Sequence, residues 1–160
     1  MMASEPFKIY QVAGFNTGTL ALCKQPATHA DFAAIKDWNP SIVVTLTGED
    51  EFPKTGQSLP QRFQEAPFNW LHLPIVDFGI PDSKDRDLWL GAIAQLTSIL
   101  NANGRVLAHC KGGNGRSGML LLKLLCLQGE DGKAAQLRIR AVRSGAIETE
   151  DQYKWATIPL

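Results

Sequence analysis

The stretch that most constrains this chain is His109-Cys110-Lys111-Gly112-Gly113-Asn114-Gly115-Arg116-Ser117-Gly118. The apolar run Val106-Leu107-Ala108 enters it and a longer run, Met119 to Leu127, leaves it. That pattern reads as a buried strand, a glycine-rich turn and a helix. Gly112, Gly113 and Gly115 let the backbone curl so that successive N–H groups point inward. Such a nest, opening on a helix N-terminus, is an anion site made from main chain. Cys110 begins the curl and Arg116 closes it in the first turn of the helix. The inward amides, the helix dipole and Arg116 together favour thiolate over thiol. The planar guanidinium can grip two phosphate oxygens at once. One loop therefore supplies a nucleophile and a cradle for the group it attacks. The three cysteines, Cys23, Cys110 and Cys126, lack the paired spacing of a zinc site. A Walker loop would require Gly-Lys-Ser/Thr at its end, and no such run follows.

With 160 residues the chain is expected to be one domain, 1–160, large enough to bury a core. Lys and Arg number 16, as do Asp and Glu, so the formal net charge is zero. That balance points neither to nucleic acid nor to a membrane surface as a general partner. Met1 to Pro6 lack a basic segment followed by an apolar one, which argues against a secretory signal. The run Met119 to Leu127 is too short to cross a bilayer and contains Lys123. An odd cysteine count without a secretion signal suggests a reducing compartment. The expectation is a soluble, cytoplasmic enzyme.

Along the chain, Phe7 to Val12 and Thr19 to Cys23 read as short strands around the turn Gly14 to Gly18. Thr28 offers an N-cap for a helix through Trp38, which Asn39-Pro40 stops. Ile42 to Leu46 is a β-branched apolar run and the expected central parallel strand. Glu49 to Pro60 is read as loop, followed by a short helix to Ala66. Trp70 to Leu73 is the next strand and Pro74 to Asp82 a loop. Ser83 is the expected cap of a helix whose Trp89, Ile93, Leu96 and Leu100 recur at helical spacing. Asn103-Gly104 ends it. After the loop helix, Gly129 breaks the chain, Asp131 caps a helix to about Arg143, and Thr149 to Gln152 form a capping-box pattern. Strands alternating with helices imply an α/β fold, a mostly parallel sheet with helices on both faces.

His-Cys, five residues, Arg, then Ser is the signature that the cysteine-dependent protein phosphatases carry, and the chain resembles that superfamily at every fixed position. The resemblance runs over roughly residues 40 to 155. It implies a phosphotyrosine protein phosphatase-like fold, a nucleophile at Cys110 and a phosphate-binding role for Arg116 with Lys111, Gly112, Gly113, Asn114 and Gly115. The segment His72-Leu-Pro-Ile-Val-Asp77-Phe-Gly-Ile-Pro81-Asp82 looks like the acid loop of the kinase-associated, dual-specificity type. The resemblance therefore implies Asp77 as the proton donor that alkoxide or phenoxide departure needs, with Asp82 as runner-up. Ser117 would assist the departing thiolate, or else simply hydrogen-bond at the helix start. His109 would orient the loop, and Gln152 would position the hydrolytic water unless the capping box alone explains it. Phe78 would form part of the wall of a shallow cleft. Arg140 and Arg143 look like arginines that brace the loop, and Cys23 or Cys126 could close a disulfide with an oxidised Cys110.

The expected activity is hydrolysis of phosphate monoesters on protein side chains, phosphotyrosine and also phosphoserine or phosphothreonine, without metal or organic cofactor. Hydrolysis of phosphoinositides or RNA 5′-phosphates is the alternative within enzymes. Where lipid phosphatases often carry a second loop lysine, this chain has Asn114, which weighs against the first of these. A non-catalytic phosphate-binding module would need the nest but neither Cys110 nor Asp77.

Overall fold

The computed structural model of the chain describes residues 5–56 and 58–160. Met1 to Ser4 of the leader reading, and Gln57 in the loop before the short helix, lie outside them. Five strands form one sheet: β1 (Tyr10–Ala13), β2 (Thr19–Cys23), β3 (Ile42–Thr45), β4 (Asn69–His72) and β5 (Arg105–His109). Their order is β1-β2-β5-β3-β4, with only β1 antiparallel to its neighbour. The helices are α1 (His29–Trp38), α2 (Leu59–Gln64), α3 (Arg86–Asn101), α4 (Gly115–Leu127), α5 (Gly132–Val142) and α6 (Glu150–Thr157).

Crossover handedness distributes the helices. From β2 through β3 to β4 the chain moves one way across the sheet, so right-handed crossovers leave α1 and α2 on the same face. The step from β4 back to β5 reverses direction and puts α3 on the other face. Side-chain alternation follows. Ala21, Cys23, Val43 and Leu107 pack with Ile35, Leu59 and Phe63 under α1 and α2. Leu20, Leu22, Ile42, Val44, Val106 and Ala108 meet Trp89, Ile93, Leu96 and Leu100 of α3 and the apolar body of α4. Helix α4 is buried over nearly its whole length between the sheet and α5 and α6. Even Lys123 is inside, its Nζ donating to the Ile158 carbonyl at 2.6 Å and lying 4.7 Å from the centre of the Trp155 ring. Burial lowers the Lys123 pKa. Among the described residues, no helix is long and apolar enough to cross a membrane.

Three expectations need correction. The first strand begins at Tyr10 and not at Phe7: Tyr10–Ala13 pair with Thr19–Leu22, and a strand from Phe7 would run past the end of β2 at Cys23. Phe7 and Ile9 instead pack against the α1–α2 layer. The middle of the sheet is β5, not Ile42–Thr45; both strands are apolar throughout and composition alone does not rank two interior strands. Ser83 is not a helix cap. Asp82 accepts from the Lys84 amide at 3.0 Å and opens a 3-10 turn, Ser83–Asp85, from which α3 continues. The caps at Thr28, Asp131 and Thr149 are as expected, and Thr28 and Thr149 both complete capping boxes.

Candidate active site

All parallel strands point their C-terminal ends to one edge of the sheet, where ligands of open α/β sheets bind. Three connections meet there: Cys110–Asn114 after β5, Glu49–Glu51 after β3, and Pro74–Asp82 after β4.

The first is a nest, and its hydrogen bonds explain why. Four successive carbonyls are held from outside the curl. Lys111 O accepts from Gln25 N (3.1 Å), Gly112 O and Gly113 O from Arg143 (2.8 and 3.2 Å), and Asn114 O from Gly118 N and Ile147 N (3.0 and 3.2 Å). In a planar trans peptide the N–H points opposite the C=O. The amides of Gly112, Gly113, Asn114 and Gly115 are thereby turned to the other side, with no acceptor among the described residues. Glycine is required at one position here, and a second is crowded by side chains. Gly113 has φ +77°, and a β-carbon on it would sit 2.6 Å from the backbone of Cys23 and Lys24. A β-carbon on Gly115 would come 2.2 Å from Glu148 Oε1 and 3.1 Å from Gln152 Oε1.

Cys110 is buried at the start of the nest with its Sγ 3.3 Å from the buried Ser117 Oγ. Arg116, 1% exposed, lies beside them in the first turn of α4. One edge of its guanidinium is fully used. Nη1 and Nη2 each donate to a Glu51 carboxylate oxygen at 2.8 Å, and Nη1 also donates to Ile75 O at 2.9 Å. The other edge is open: Nε has no partner, and Nη2 has only Asp77 Oδ1 at 3.3 Å. A buried, orphaned donor on a fixed cation is a place for an anion. The hydrogen bonds from Arg116 hold the Glu51 carboxyl below its usual range, against the opposing effect of burial. Burial acts against the charge on Arg116, and the bonds from Glu51 with the nearby charges outweigh it, so its pKa rises. Sequence reading had placed Glu51 in a loop without function. Its only local signal was an acidic 3-10 turn following an interior strand.

Asp77 is 54% exposed, faces the open edge of Arg116, and accepts from its neighbour Phe78 N at 3.0 Å. Phe78 adopts φ +61° and stands 60% exposed beside it. Asp82, the other candidate donor, is occupied as the cap of the following turn. Gln152 is buried: its Oε1 accepts from the amides of Glu148 (2.9 Å) and Thr149 (3.3 Å), and its Nε2 donates to Gly79 O (3.1 Å). That leaves one N–H for any water.

The geometry describes an anion site built on a Cys-Arg loop, and comparison with known proteins decides the family. A family model, Tc-R-P, described as a polymorphic toxin system DSP-PTPase phosphatase, matches residues 17–130. The chain belongs to this DSP-PTPase phosphatase family. The match to 067L of Invertebrate iridescent virus 3, a protein named for tyrosine phosphatase activity, is 35% identical over 60 residues. It covers 37% of this chain and 25% of the viral protein, so the matched part spans only a quarter of that relative's length. Among solved structures, Tk-PTP in its active form superimposes with a TM-score of 0.71 at 27% identity, covering 89% of this chain and 92% of that one. The kinase associated phosphatase, with its catalytic-site cysteine replaced by serine, gives a TM-score of 0.77 at 24% identity and shares the fold, covering 96% and 94%.

Further side chains secure the loop from behind. His109 is fully buried, its Nε2 2.7 Å from Thr45 Oγ1 and its Nδ1 3.2 Å from Cys110 O. The indole of Trp70 donates to the same threonine at 2.8 Å. Burial lowers the His109 pKa to about 4, so the ring is neutral near pH 7. Arg143, which holds Gly112 and Gly113, is itself paired with Glu5 and bonded to Tyr10. Arg140 braces the next layer out, donating to the carbonyls of Ala146 and Ile147 at 2.9 and 2.8 Å. The Lys111 side chain is exposed and adds positive charge near Glu51.

The two spare cysteines stand differently to Cys110: Cys23 is paired in register with His109, the residue before it, whereas Cys126 lies far along α4. Cys23 packs with Ala21 and Val43 on the α1–α2 side of the sheet, whereas Cys110 belongs to the opposite layer. Burial raises the Cys23 pKa. Cys126 lies in the last turn of α4, about 16 Å along the helix axis at the usual rise per residue. A disulfide needs Cα atoms within roughly 7 Å and converging side chains.

Proposed function

We propose that the 160 residues act as one domain hydrolysing phosphate monoesters on protein side chains, phosphotyrosine and also phosphoserine and phosphothreonine, through a cysteinyl-phosphate intermediate. The observation that carries this reading is the open edge of Arg116. Its orphaned Nε lies in the same loop as the Cys110 sulfur, and Asp77 stands at its Nη2. A phosphate held by that edge and by the inward amides of 112–115 presents its phosphorus to Cys110 and its ester oxygen to Asp77.

In the first step the Cys110 thiolate attacks phosphorus. The S–P bond forms, the P–O bond to the side chain breaks, and Asp77 gives its proton to the departing oxygen. In the second step Asp77 takes a proton from water as its oxygen bonds to phosphorus. The P–S bond breaks, phosphate leaves, and Ser117 at 3.3 Å donates a hydrogen bond to the returning thiolate. Throughout, Arg116 and the amides face the non-bridging oxygens, whose charge they were already arranged to meet. Lys111 adds charge at the mouth, and Phe78 is the part of the acid loop that a protein substrate meets first. A module that merely holds phosphate has no use for a sulfur and a carboxyl group on opposite sides of the anion.

The test is turnover of the purified protein, in EDTA, on phosphotyrosine, phosphoserine and phosphothreonine peptides and on phosphoinositides. Release of phosphate from the peptides is expected. Turnover of phosphoinositide alone would replace the substrate class, and no turnover of any ester would leave only binding.

A further inference from the structure

We propose that Gln152 is a positioning residue for the acid loop, a tether that sets where Asp77 stands relative to Cys110. The proposal rests on the reading of Asp77 as proton donor. Its starting point is how lightly that loop is otherwise held. Ile75 is anchored at both ends of its peptide, its N–H to Leu46 O at 3.0 Å and its carbonyl to Arg116. Beyond it, the backbone bonds of residues 76–79 are local: Gly79 N to Val76 O and Phe78 N to Asp77 Oδ1. Val76 and Phe78 are exposed, and Phe78 is in the left-handed region that non-glycine residues disfavour. Among the described residues, the bond from Gln152 Nε2 to Gly79 O is the one hydrogen bond that ties the backbone of 76–81 to another element.

The post to which the loop is tied is rigid. Helix α6 packs along α4, and the buried Lys123 of α4 holds Ile158 at the end of α6. Gln152 is wholly buried and also abuts the phosphate loop, since its Oε1 lies 3.1 Å from where a β-carbon on Gly115 would be. A single carboxamide thus bonds to the loop after β4 while lying beside the first residue of α4. The capping role alone does not require an amide. Oε1 does the capping, and a glutamate serves equally well at this position of a capping box. What glutamate lacks is the N–H directed at Gly79.

That difference makes Gln152→Glu the decisive variant, with Gln152→Met, which lacks both bonds, beside it. Hydrogen exchange read by mass spectrometry should show faster exchange at residues 76–80 in both variants. Protection of α6 should persist in Gln152→Glu. In turnover, loss of one such hydrogen bond should slow phosphopeptides about three- to tenfold. An aryl phosphate with an acidic phenol should be little affected, because its departure needs little help from the donor. The double variant Asp77→Asn/Gln152→Glu should be no slower on phosphopeptide than Asp77→Asn alone, since the tether acts only through Asp77. Unchanged exchange at 76–80 would overturn the proposal. So would an equal loss on every leaving group with accumulation of phosphorylated enzyme, which would make Gln152 a water-positioning residue instead. Should the wild-type protein turn over no ester, the proposed activity fails while the exchange measurement still decides the tether.

Discussion

The two loops that converge on the phosphate site are built in opposite ways. In the loop after β5, each carbonyl from Lys111 to Asn114 is held from outside, the arginine is buried and paired, and a buried histidine lies behind the sulfur. In the loop after β4, the Asp77 carboxylate is half in solvent, its neighbour is a strained and exposed Phe78, and beyond Ile75 one bond from Gln152 ties the backbone back. The difference matches what each must do. A cradle for a dianion gains from donors fixed before the anion arrives, since reorganising them would cost free energy at the moment of reaction. A proton donor must let the substrate in and then approach one oxygen, which a loosely held loop permits.

The sharpest way to break the comparison is to remove the sulfur. Cys110→Ser should abolish turnover, yet still bind vanadate or tungstate, because the anion site is backbone and Arg116; loss of oxyanion binding in calorimetry would mean that the cradle depends on the thiol. On the other loop, Asp77→Asn should slow phosphopeptide turnover by roughly 10²–10⁴-fold. It should leave an activated aryl phosphate far less affected, whereas Asp82→Asn should show neither effect. A rate ratio between leaving groups that follows Asp82 would exchange the two assignments.

The fold should also lose stability in acid through the histidine behind the cradle. Folded His109 resists protonation down to about 4, whereas in the unfolded chain it takes a proton near 6.5. Above pH 6.5 both states are neutral and the residue contributes no pH dependence. As pH falls from 6.5 to 4 the unfolded state alone gains a proton, and stability falls by about 3 kcal/mol. Urea titrations at pH 7 and pH 4.5 should show this loss, and a His109→Asn protein should show much less of it. The smallest of these effects concerns the carboxylate that holds Arg116. Glu51→Gln leaves Arg116 without its carboxylate, and kcat/KM should drop about 10- to 100-fold, the worth of a hydrogen bond to a charged group. Leaving-group dependence should be unchanged, because the change touches the cradle and not the donor. A selective loss on poor leaving groups would show that Glu51 acts through Asp77.

Much of the cradle is legible without a structure because its causes are local. Strand, glycine turn and helix lie within about twenty residues, and the caps at Thr28, Asp131 and Thr149 are contacts between residues three apart. Apolar spacing likewise marked Trp89, Ile93, Leu96 and Leu100 as the buried face of α3. Of what was misread, one cause lies in a distant strand and one is local. Phe7 falls outside the first strand because β2 ends, and Asp82 displaces Ser83 as a cap because the chain turns one residue earlier than the proline suggests.

By itself, then, the sequence determined the glycine-rich Cys-Arg loop and the fold class, which depend on short-range backbone chemistry and on hydrophobic periodicity. Tertiary structure alone decided that β5 lies at the centre of the sheet and that Glu51 occupies one edge of Arg116 and leaves the other open. It also decided which carbonyls Arg143, already an expected brace of the loop, takes hold of, and that Gln152 reaches Gly79. Each of these pairs residues about 30 to 75 positions apart. A carboxylate or carboxamide finds such a partner only after crossover handedness and side-chain alternation have brought the strand ends to one edge. No spacing rule along the chain encodes that meeting.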